Sequence, residues 1–311
     1  MTAAAMSRRQ TLGRVLEPLL LSASVTVPSH YPSKAEYVHQ LIDTYYLPVF
    51  LWAEKQLRSP CLVLGLSCVQ GGGKTTMSSY LETLFRATGR TCATLSLDDV
   101  YLPHADQLKV AASNPHNPLL EHRGNPGTHD LNLLMSLIDD ANAGRDVLVP
   151  RYDKSAYNGR GDRFPKDKWV RYPGPVDVLL IEGWCLGFEA SPTDPPGHLR
   201  PVNQALREFD RVHAALTALI VVHVDDVRWV YTYVGWREQA EAQMRDQGVP
   251  AMTSTQVSDF VDRFMPAYDQ YLPALYATDG DSLVHRVPRL TIDIDVDRKC
   301  RGIVARESTK V

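Results

Sequence analysis

The sequence lacks the features that characterise membrane-spanning, disulfide-stabilised and repeat proteins. None of its apolar runs approaches the roughly 18 residues that a membrane helix needs, and the longest, such as 216–224, have the length of a strand. The five cysteines are odd in number and widely spread, which predicts buried thiols in a reducing compartment and neither a disulfide framework nor a zinc site. They are Cys61, Cys68, Cys92, Cys185 and Cys300. We find no internal repeat or low-complexity block.

The chain also lacks a strong excess of one charge sign. Its 33 Lys and Arg residues nearly balance its 36 Asp and Glu residues, which leaves a net charge of −3. A dedicated nucleic-acid-binding protein would carry a basic surplus. We therefore expect neither nucleic acid nor a membrane as a partner. The 311 residues, 44% of them hydrophobic, are enough for one large or two modest globular domains with a substantial core.

The N-terminal region is ambiguous. Residues 1–16 contain arginines and no acid, which faintly resembles an organellar transit peptide, but Glu17 interrupts the short apolar run and no cleavage pattern is clear. We predict a loose segment over 1–32 in a cytoplasmic, or also nuclear, protein, with organellar import as the alternative. A helical preface over 33–59, capped by Ser33, is predicted to pack on the core.

A glycine-rich stretch provides the strongest signal in the sequence. The apolar run Cys61–Leu66 predicts a buried strand, a glycine turn follows it, and a helix is predicted over 75–88. This is the context of a P-loop, in which backbone N–H groups and a helix N-terminus surround a phosphate. Lys74 would reach the β- and γ-phosphates and the Thr75 hydroxyl would bind Mg²⁺. The predicted nucleotide-binding residues are Gln70, Gly71, Gly72, Gly73, Lys74, Thr75 and Thr76.

The P-loop pattern has one departure and one alternative interpretation. Cys68 stands where the motif usually has glycine or alanine, and we expect this to be tolerated because cysteine is small. The alternative is a glycine-rich turn that binds nothing.

Strands and helices alternate along residues 60–300, which predicts a parallel sheet covered on both faces. The predicted principal strands are 61–66, 91–97, 176–182, 218–224 and 289–294. Two long polar stretches, 103–130 and 150–175, indicate functional loops. A polar tail over 301–311 is predicted to end the chain.

Acidic residues follow two of the predicted strands. Asp98 and Asp99 end the strand 91–97, where one of them could accept the proton of a substrate hydroxyl; a turn-capping pair is the alternative. Glu182 ends the strand 176–182 in the Walker B arrangement, whose acid holds Mg²⁺.

Cations concentrate in two further segments. Lys154, Arg160 and Arg163 could form a pocket for an anionic substrate, although an ordinary solvated loop has a similar composition. The predicted helix 227–247 carries Arg228, Arg237 and Arg245. Such a helix can act as a lid that brings arginines over the phosphates, and Arg237 is the candidate catalytic residue among the three. A solvated basic face is the alternative.

Taken together, these residues resemble the D-glycerate 3-kinase family and its fungal kinase-like relatives, and more distantly phosphoribulokinase, uridine kinase and pantothenate kinase. The matching segments are 69–76, Leu97-Asp98-Asp99-Val100-Tyr101-Leu102, Arg123-Gly124-Asn125-Pro126-Gly127-Thr128-His129-Asp130, Tyr152-Asp153-Lys154-Ser155, Gly161-Asp162-Arg163, Glu182-Gly183-Trp184, Phe260-Val261-Asp262 and Pro266-Ala267-Tyr268.

This resemblance implies an α/β P-loop kinase fold of about five mostly parallel strands, with helices on both faces and a helical lid. It implies that ATP, with Mg²⁺, phosphorylates D-glycerate to 3-phosphoglycerate, and it favours Asp98 over Asp99 as the base. The substrate side would comprise Asp99, Tyr101, Arg123, Asp130, Tyr152, Lys154, Arg160 and Arg163.

Two other functions stay open: a kinase with a pantothenate- or nucleoside-like acceptor, and a P-loop nucleotide-binding regulator that turns over no metabolite. A strand-tip base and a cationic loop favour a kinase, because a switch needs neither. Loops decide the choice of acceptor within one fold, so the sequence does not separate the acceptors. The oligomeric state is likewise undetermined.

Overall fold

A six-stranded sheet forms the centre of the structure, a computed structural model that describes residues 3–23, 27, 29, 31–244, 253–277 and 283–308. The strand order is β10-β9-β8-β1-β7-β2, and every neighbouring pair is parallel except β9 with β10. The predicted P-loop strand, β1, lies inside the sheet. The predicted α/β architecture with a mostly parallel sheet is confirmed, with one more strand than the five expected.

The elements have the following bounds. The strands are β1 (Leu62–Cys68), β2 (Cys92–Ser96), β3 (Val147–Val149), β4 (Tyr152–Asp153), β5 (Asp162–Arg163), β6 (Val170–Tyr172), β7 (Val178–Gly183), β8 (Ala218–Val224), β9 (Arg289–Ile294) and β10 (Cys300–Arg306). The helices are α1 (Ala3–Ser22), α2 (Lys34–Leu41), α3 (Leu47–Lys55), α4 (Lys74–Ala87), α5 (His104–Ser113), α6 (Leu131–Asn142), α7 (Leu199–Leu206), α8 (Asp210–Ala215), α9 (Trp229–Met244), α10 (Ser254–Asp262) and α11 (Met265–Tyr276). Within the described ranges, no helix is both long and apolar enough to cross a membrane.

The strand register brings the candidate functional segments to one edge of the sheet. Strands β1 and β7 are buried along their whole length, as expected for parallel strands covered on both faces. Ser67 of β1 pairs with Gly183 of β7, and Ser96 of β2 pairs with Glu182 of β7. The P-loop, the Asp98 turn and Glu182 therefore emerge together at the carboxyl ends of three adjacent strands, where open α/β sheets bind ligands.

The N-terminal segment 1–32 was predicted to be loose, but it contains the helix α1. Leu12, Leu16 and Leu20 recur every four residues, so they share one face of that helix, and all three are at most 4% exposed. The arginines that suggested a transit peptide sit on a helix that packs on the core. The preface that follows is helical as predicted, and the Ser33 hydroxyl accepts the Glu36 N–H at 3.2 Å.

The C-terminal segment is also more ordered than predicted. Most of the expected polar tail 301–311 belongs to β10, which pairs antiparallel with β9 and so covers an otherwise open sheet edge. The turn between them is stabilised by Asp295, whose carboxylate accepts the N–H groups of Asp297 and Lys299. The strand escapes a hydrophobic-pattern search because its side chains are mostly exposed. The polar stretch 103–130 likewise contains a helix, α5.

Candidate active site

The glycine loop between β1 and α4 has the conformation that a phosphate cradle requires. Gly71 and Gly73 have φ values of +72° and +99°, a region that favours glycine. A Cβ on Gly71 would lie 2.6 Å from that of Tyr233 in α9, whereas a Cβ on Gly73 would have no atom within 4 Å. At Gly71 the loop is therefore in close contact with α9. At Gly73, where α4 begins, the space beside the backbone is empty of atoms of the described residues. A Cβ on Gly72 would meet the Cys68 sulfur at 2.5 Å, which leaves little space beside Cys68.

Three polar contacts fix the loop and its lysine. The Lys74 ammonium donates to the Val69 carbonyl at 3.2 Å. The Gln70 N–H donates to the Tyr268 hydroxyl at 3.0 Å, and Arg298 donates to the Gly71 carbonyl at 3.2 Å. Arg298 was not predicted as a site residue; it lies 227 positions from Gly71, in the turn between β9 and β10. No local pattern signals such a contact.

Glu182 lies beside the loop and has one unsatisfied oxygen. Its carboxylate accepts the Thr75 hydroxyl at 3.3 Å through Oε1, while the buried Oε2 has no hydrogen-bond partner among the described residues. Burial raises the pKa of Glu182, and the charge of Lys74 opposes this. An orphaned carboxylate oxygen next to a threonine hydroxyl and a phosphate cradle is a donor set that fits Mg²⁺. The two predicted metal ligands, Thr75 and Glu182, are thus brought together.

Asp98 and Asp99, which follow β2, have side chains with different partners. The Asp98 carboxylate accepts the Lys154 ammonium at 2.5 Å and interacts with the Tyr101 hydroxyl. Burial alone would raise the pKa of Asp98, but Lys154 and Lys74 outweigh burial and hold that pKa well below its usual range. Asp98 is therefore ionised at neutral pH and faces the cations of the site.

The Asp99 carboxylate instead turns back to close the helical turn that starts at Ser96. It accepts the Ser96 N–H at 3.3 Å and pairs with Arg151 at 3.2 Å. Burial raises the pKa of Asp99 and Arg151 only partly opposes that rise. These partners give Asp99 a structural setting, in contrast to its predicted place on the substrate side.

Tyr101 and Tyr152, both predicted on the substrate side, are buried: Tyr101 contacts Asp98, and Tyr152 packs on Tyr101. Tyr101 packs against His129 with ring centroids 4.7 Å apart and against Tyr152 at 5.5 Å. Burial raises the pKa of Tyr152 to about 12, so it stays neutral. His129 was not predicted as a site residue. Burial lowers its pKa to about 4, and neither ring nitrogen has a hydrogen-bond partner among the described residues.

The cationic segment 150–163 forms a short hairpin of β4 and β5 whose tip, residues 154–161, carries Lys154 to Asp98. Arg123 stabilises this tip through its guanidinium. The guanidinium donates to the backbone carbonyl of Arg160, to that of Gly159 at 2.8 Å and to that of Lys154 at 3.3 Å. Arg123, which the resemblance placed on the substrate side, therefore uses three of its hydrogen bonds to support this loop. Arg160 is exposed at the tip.

Arg163 and Asp130 are also committed to each other, contrary to the prediction that Arg163 presents its charge to a substrate. The Arg163 side chain is only 12% exposed; it pairs with Asp130 at 3.2 Å and donates to the Tyr101 carbonyl at 2.7 Å. Asp130 in addition caps α6 by accepting the Leu133 N–H at 3.0 Å. The sequence pattern shows the charge of these residues but does not show that their charges neutralise each other.

The predicted lid helix corresponds to α9, and Arg228, immediately before it, is the one of the three predicted arginines whose side chain the structure describes. Arg228 is 77% exposed and pairs with Asp226 two residues away. The side chain of Arg237, the candidate catalytic arginine, lies outside the described part of the chain, as does Arg245. The role of Arg237 therefore stays a prediction.

Comparison with known proteins places this arrangement in a family. No family model matches the chain. It is 32% identical to a probable ATP-dependent kinase of Saccharomyces cerevisiae, over 85% of this chain and 93% of that protein. It is 41% identical to the chloroplastic D-glycerate 3-kinase of Arabidopsis thaliana over 86% of this chain. The chain belongs to the D-glycerate 3-kinase family of P-loop kinases. It spans 61% of the length of the Arabidopsis kinase.

The kinase fold is also seen in a solved member of this family. The D-glycerate 3-kinase of Cryptococcus neoformans superposes with a TM-score of 0.72 at 28% identity, over 84% of this chain and 96% of the other. The predicted family and the predicted P-loop kinase fold are both confirmed.

Proposed function

We propose that this kinase transfers the γ-phosphate of ATP to the terminal hydroxyl of D-glycerate. The observation that carries the proposal is the Asp98 carboxylate, which stands ionised beside Lys154 at the tip of the strand that adjoins the Walker B strand. There it can accept the proton of a hydroxyl as the oxygen attacks phosphorus. A non-catalytic regulator, the alternative of another class, needs no such carboxylate.

The phosphate side of the site is assigned to the loop residues. The backbone amides of residues 70–76 and the Lys74 ammonium would hold the phosphates of ATP, and Thr75 with Glu182 would hold Mg²⁺. When bound, the cation neutralises the charge that develops on the phosphoryl oxygens. The unpartnered Glu182 oxygen is the feature of this chain that supports the metal assignment.

The acceptor side is assigned to the hairpin tip. A carboxylate substrate needs fixed cations. We assign this role to Arg160, which is exposed at the tip, and to Lys154, whose ammonium has further N–H donors beside the one that pairs with Asp98. A neutral acceptor would offer no charge to pair with Arg160. This charge argument favours glycerate over a nucleoside. Pantothenate also carries a carboxylate, so it is the competing acceptor of the same class.

The proposal is tested by ADP release across a panel of small hydroxy acids, sugars, pantothenate and nucleosides. D-Glycerate should give the highest kcat/KM, and the product should be the 3-phosphate. Turnover of pantothenate or a nucleoside without turnover of glycerate would retain the kinase assignment and overturn the acceptor. We keep a cytoplasmic location as a prediction, with the chloroplast of the Arabidopsis relative as the contrasting case.

We expect a Glu182→Gln substitution to weaken the response to Mg²⁺ more than the binding of nucleotide. The amide oxygen can still accept the Thr75 hydroxyl. The negative charge of the carboxylate, whose Oε2 has no hydrogen-bond partner among the described residues, is lost. The Mg²⁺ concentration for half-maximal activity should rise by about tenfold or more, as expected for loss of one charged ligand. A Mg²⁺ titration that matches the wild type would remove Glu182 from the metal site.

Arg160→Ala and Arg163→Ala should fail in different ways. Loss of the exposed Arg160 should raise the KM for glycerate by about tenfold, the effect of one charged hydrogen bond, with an unchanged melting temperature. Loss of Arg163 should instead lower the melting temperature, because it leaves Asp130 and the Tyr101 carbonyl without their partner. Steady-state kinetics and thermal melts of both variants decide this. A stable Arg163→Ala protein with a raised KM for glycerate alone would restore the direct role first predicted for Arg163.

A further inference from the structure

Two buried aromatic residues join the nucleotide side of the site to the acceptor side. Tyr268 of α11 accepts the Gln70 N–H at the start of the glycine loop. Trp184, which follows Glu182 by two residues, donates its indole N–H to the Gly124 carbonyl at 3.1 Å. The two rings meet edge to face, with centroids 5.0 Å apart and planes at 70°. The contact between Tyr268 and Trp184 therefore links the P-loop backbone to Gly124, in the segment that supports the acceptor loop.

Both residues are held too tightly to adjust independently. Tyr268 is fully buried and Trp184 is 2% exposed. Phe264 packs on Trp184 at 5.2 Å and also covers Gly124, where a Cβ would lie 2.6 Å from the phenylalanine ring. Gly124 is thus confined between the Trp184 indole and Phe264. Its neighbour Arg123 donates to the carbonyls of Gly159 and Lys154, so contacts connect Gly124 to the hairpin tip that carries Lys154.

We propose that Tyr268 and Trp184 are positioning residues for phosphoryl transfer: Tyr268 preorganises the P-loop through Gln70, and Trp184 preorganises the acceptor loop through Gly124. Neither side chain is assigned a contact with either substrate. The acceptor half of this inference rests on the proposed function, whereas the nucleotide half rests only on membership of the kinase family.

The physical basis is preorganisation. Without the Tyr268 hydroxyl, the Gln70 N–H loses its acceptor inside the protein, and the loop gains conformations in which its amides do not converge on a phosphate. Nucleotide then binds only the competent fraction, and the apparent dissociation constant rises by the reciprocal of that fraction. The same argument applies to the Gly124 carbonyl when the indole N–H is removed.

The chain provides a matched control on the same helix. Tyr271 is 1% exposed, and its hydroxyl has no hydrogen-bond partner among the described residues. Tyr268→Phe and Tyr271→Phe therefore remove the same atom from equally buried tyrosines of α11, and only the first breaks a contact with the P-loop. Trp52→Phe, in the N-terminal helix α3, is the corresponding control for Trp184→Phe.

The deciding measurement is the binding of a fluorescent, mant-labelled ATP, which needs no acceptor. Tyr268→Phe should raise its dissociation constant about 5- to 10-fold, as expected when a partly buried hydrogen-bond donor loses its acceptor. Tyr271→Phe should stay within about twofold of the wild type. Equal effects of the two variants, or no effect of either, would overturn the nucleotide half of the proposal whether or not glycerate is the acceptor.

Trp184→Phe should give the opposite kinetic split. The KM for D-glycerate should rise about fivefold while the mant-ATP dissociation constant stays within twofold, and Trp52→Phe should change neither. In the double variant the losses should deviate from additivity, because the two rings are in contact. A uniform loss of both affinities in Trp184→Phe would indicate a general packing defect and overturn its positioning role. Absence of glycerate turnover in the wild type would instead count against the proposed function alone.

Discussion

A Lys74→Ala variant should lose phosphoryl transfer and keep its fold. Lys74 is the first residue of α4 and follows Gly73 of the glycine loop. Its positive charge lowers the pKa values of both Asp98 and Glu182 and so opposes the effect of their burial. In the reaction the same charge would face the phosphates, where an electrostatic donor in a preorganised site contributes about 10²–10³ in rate. Because the lysine would also orient the γ-phosphate for transfer, we expect kcat to fall by at least about 10³-fold.

Stability should change little in this variant. Among the described residues, the Lys74 ammonium makes one hydrogen bond, to the Val69 carbonyl at the entrance of the loop. Lys109→Ala is the control for removal of a lysine, since Lys109 is 77% exposed on α5. ADP release and thermal melts of the three proteins are the measurements. A folded Lys74→Ala enzyme with undiminished ATP turnover would refute the P-loop assignment.

The features that sequence analysis identified correctly are those written in consecutive residues. The strand, glycine turn and helix around Lys74 follow from local rules, and so does the burial of β7 up to Glu182. Parallel pairing then brings these segments to one sheet edge without any further information. Asp98 and Glu182 were therefore placed near the phosphate loop correctly, although their distances to it could not be predicted.

The features that it missed depend on contacts between distant segments. Charge alone could not reveal that Arg163 is neutralised by Asp130, 33 positions earlier, or that Arg123 is bound to loop carbonyls. The Tyr268–Gln70 contact spans 198 positions. The same limit applies to α1, whose leucine spacing is regular but whose partner surface exists only in the folded chain.

The acidic pair at the end of β2 provides the second prediction with a large effect. Asp98→Asn should lower kcat by about 10²–10⁴-fold, the usual contribution of a positioned base, with nearly unchanged ATP binding. Asp99→Asn should stay within about tenfold of the wild type. Burial already raises the pKa of Asp99, so its charge is disfavoured in the folded protein and a neutral amide that can still accept the Ser96 N–H is tolerated. A larger loss for Asp99→Asn than for Asp98→Asn would transfer the base assignment to Asp99.

The pH dependence gives an independent test of Asp98 through its partner. Lys154 holds the pKa of Asp98 well below its usual range, so the base is ionised throughout the pH range in which the enzyme would be assayed. The wild-type kcat should therefore show no fall from this group as pH decreases to about 5. In Lys154→Ala the cation that stabilises the carboxylate is gone, while the burial that disfavours its charge persists, so its pKa must rise. An acidic limb should then appear in the kcat profile and be absent when Arg160 is replaced instead. A Lys154→Ala profile that is flat down to pH 5 would show that the Lys154 charge does not control the base.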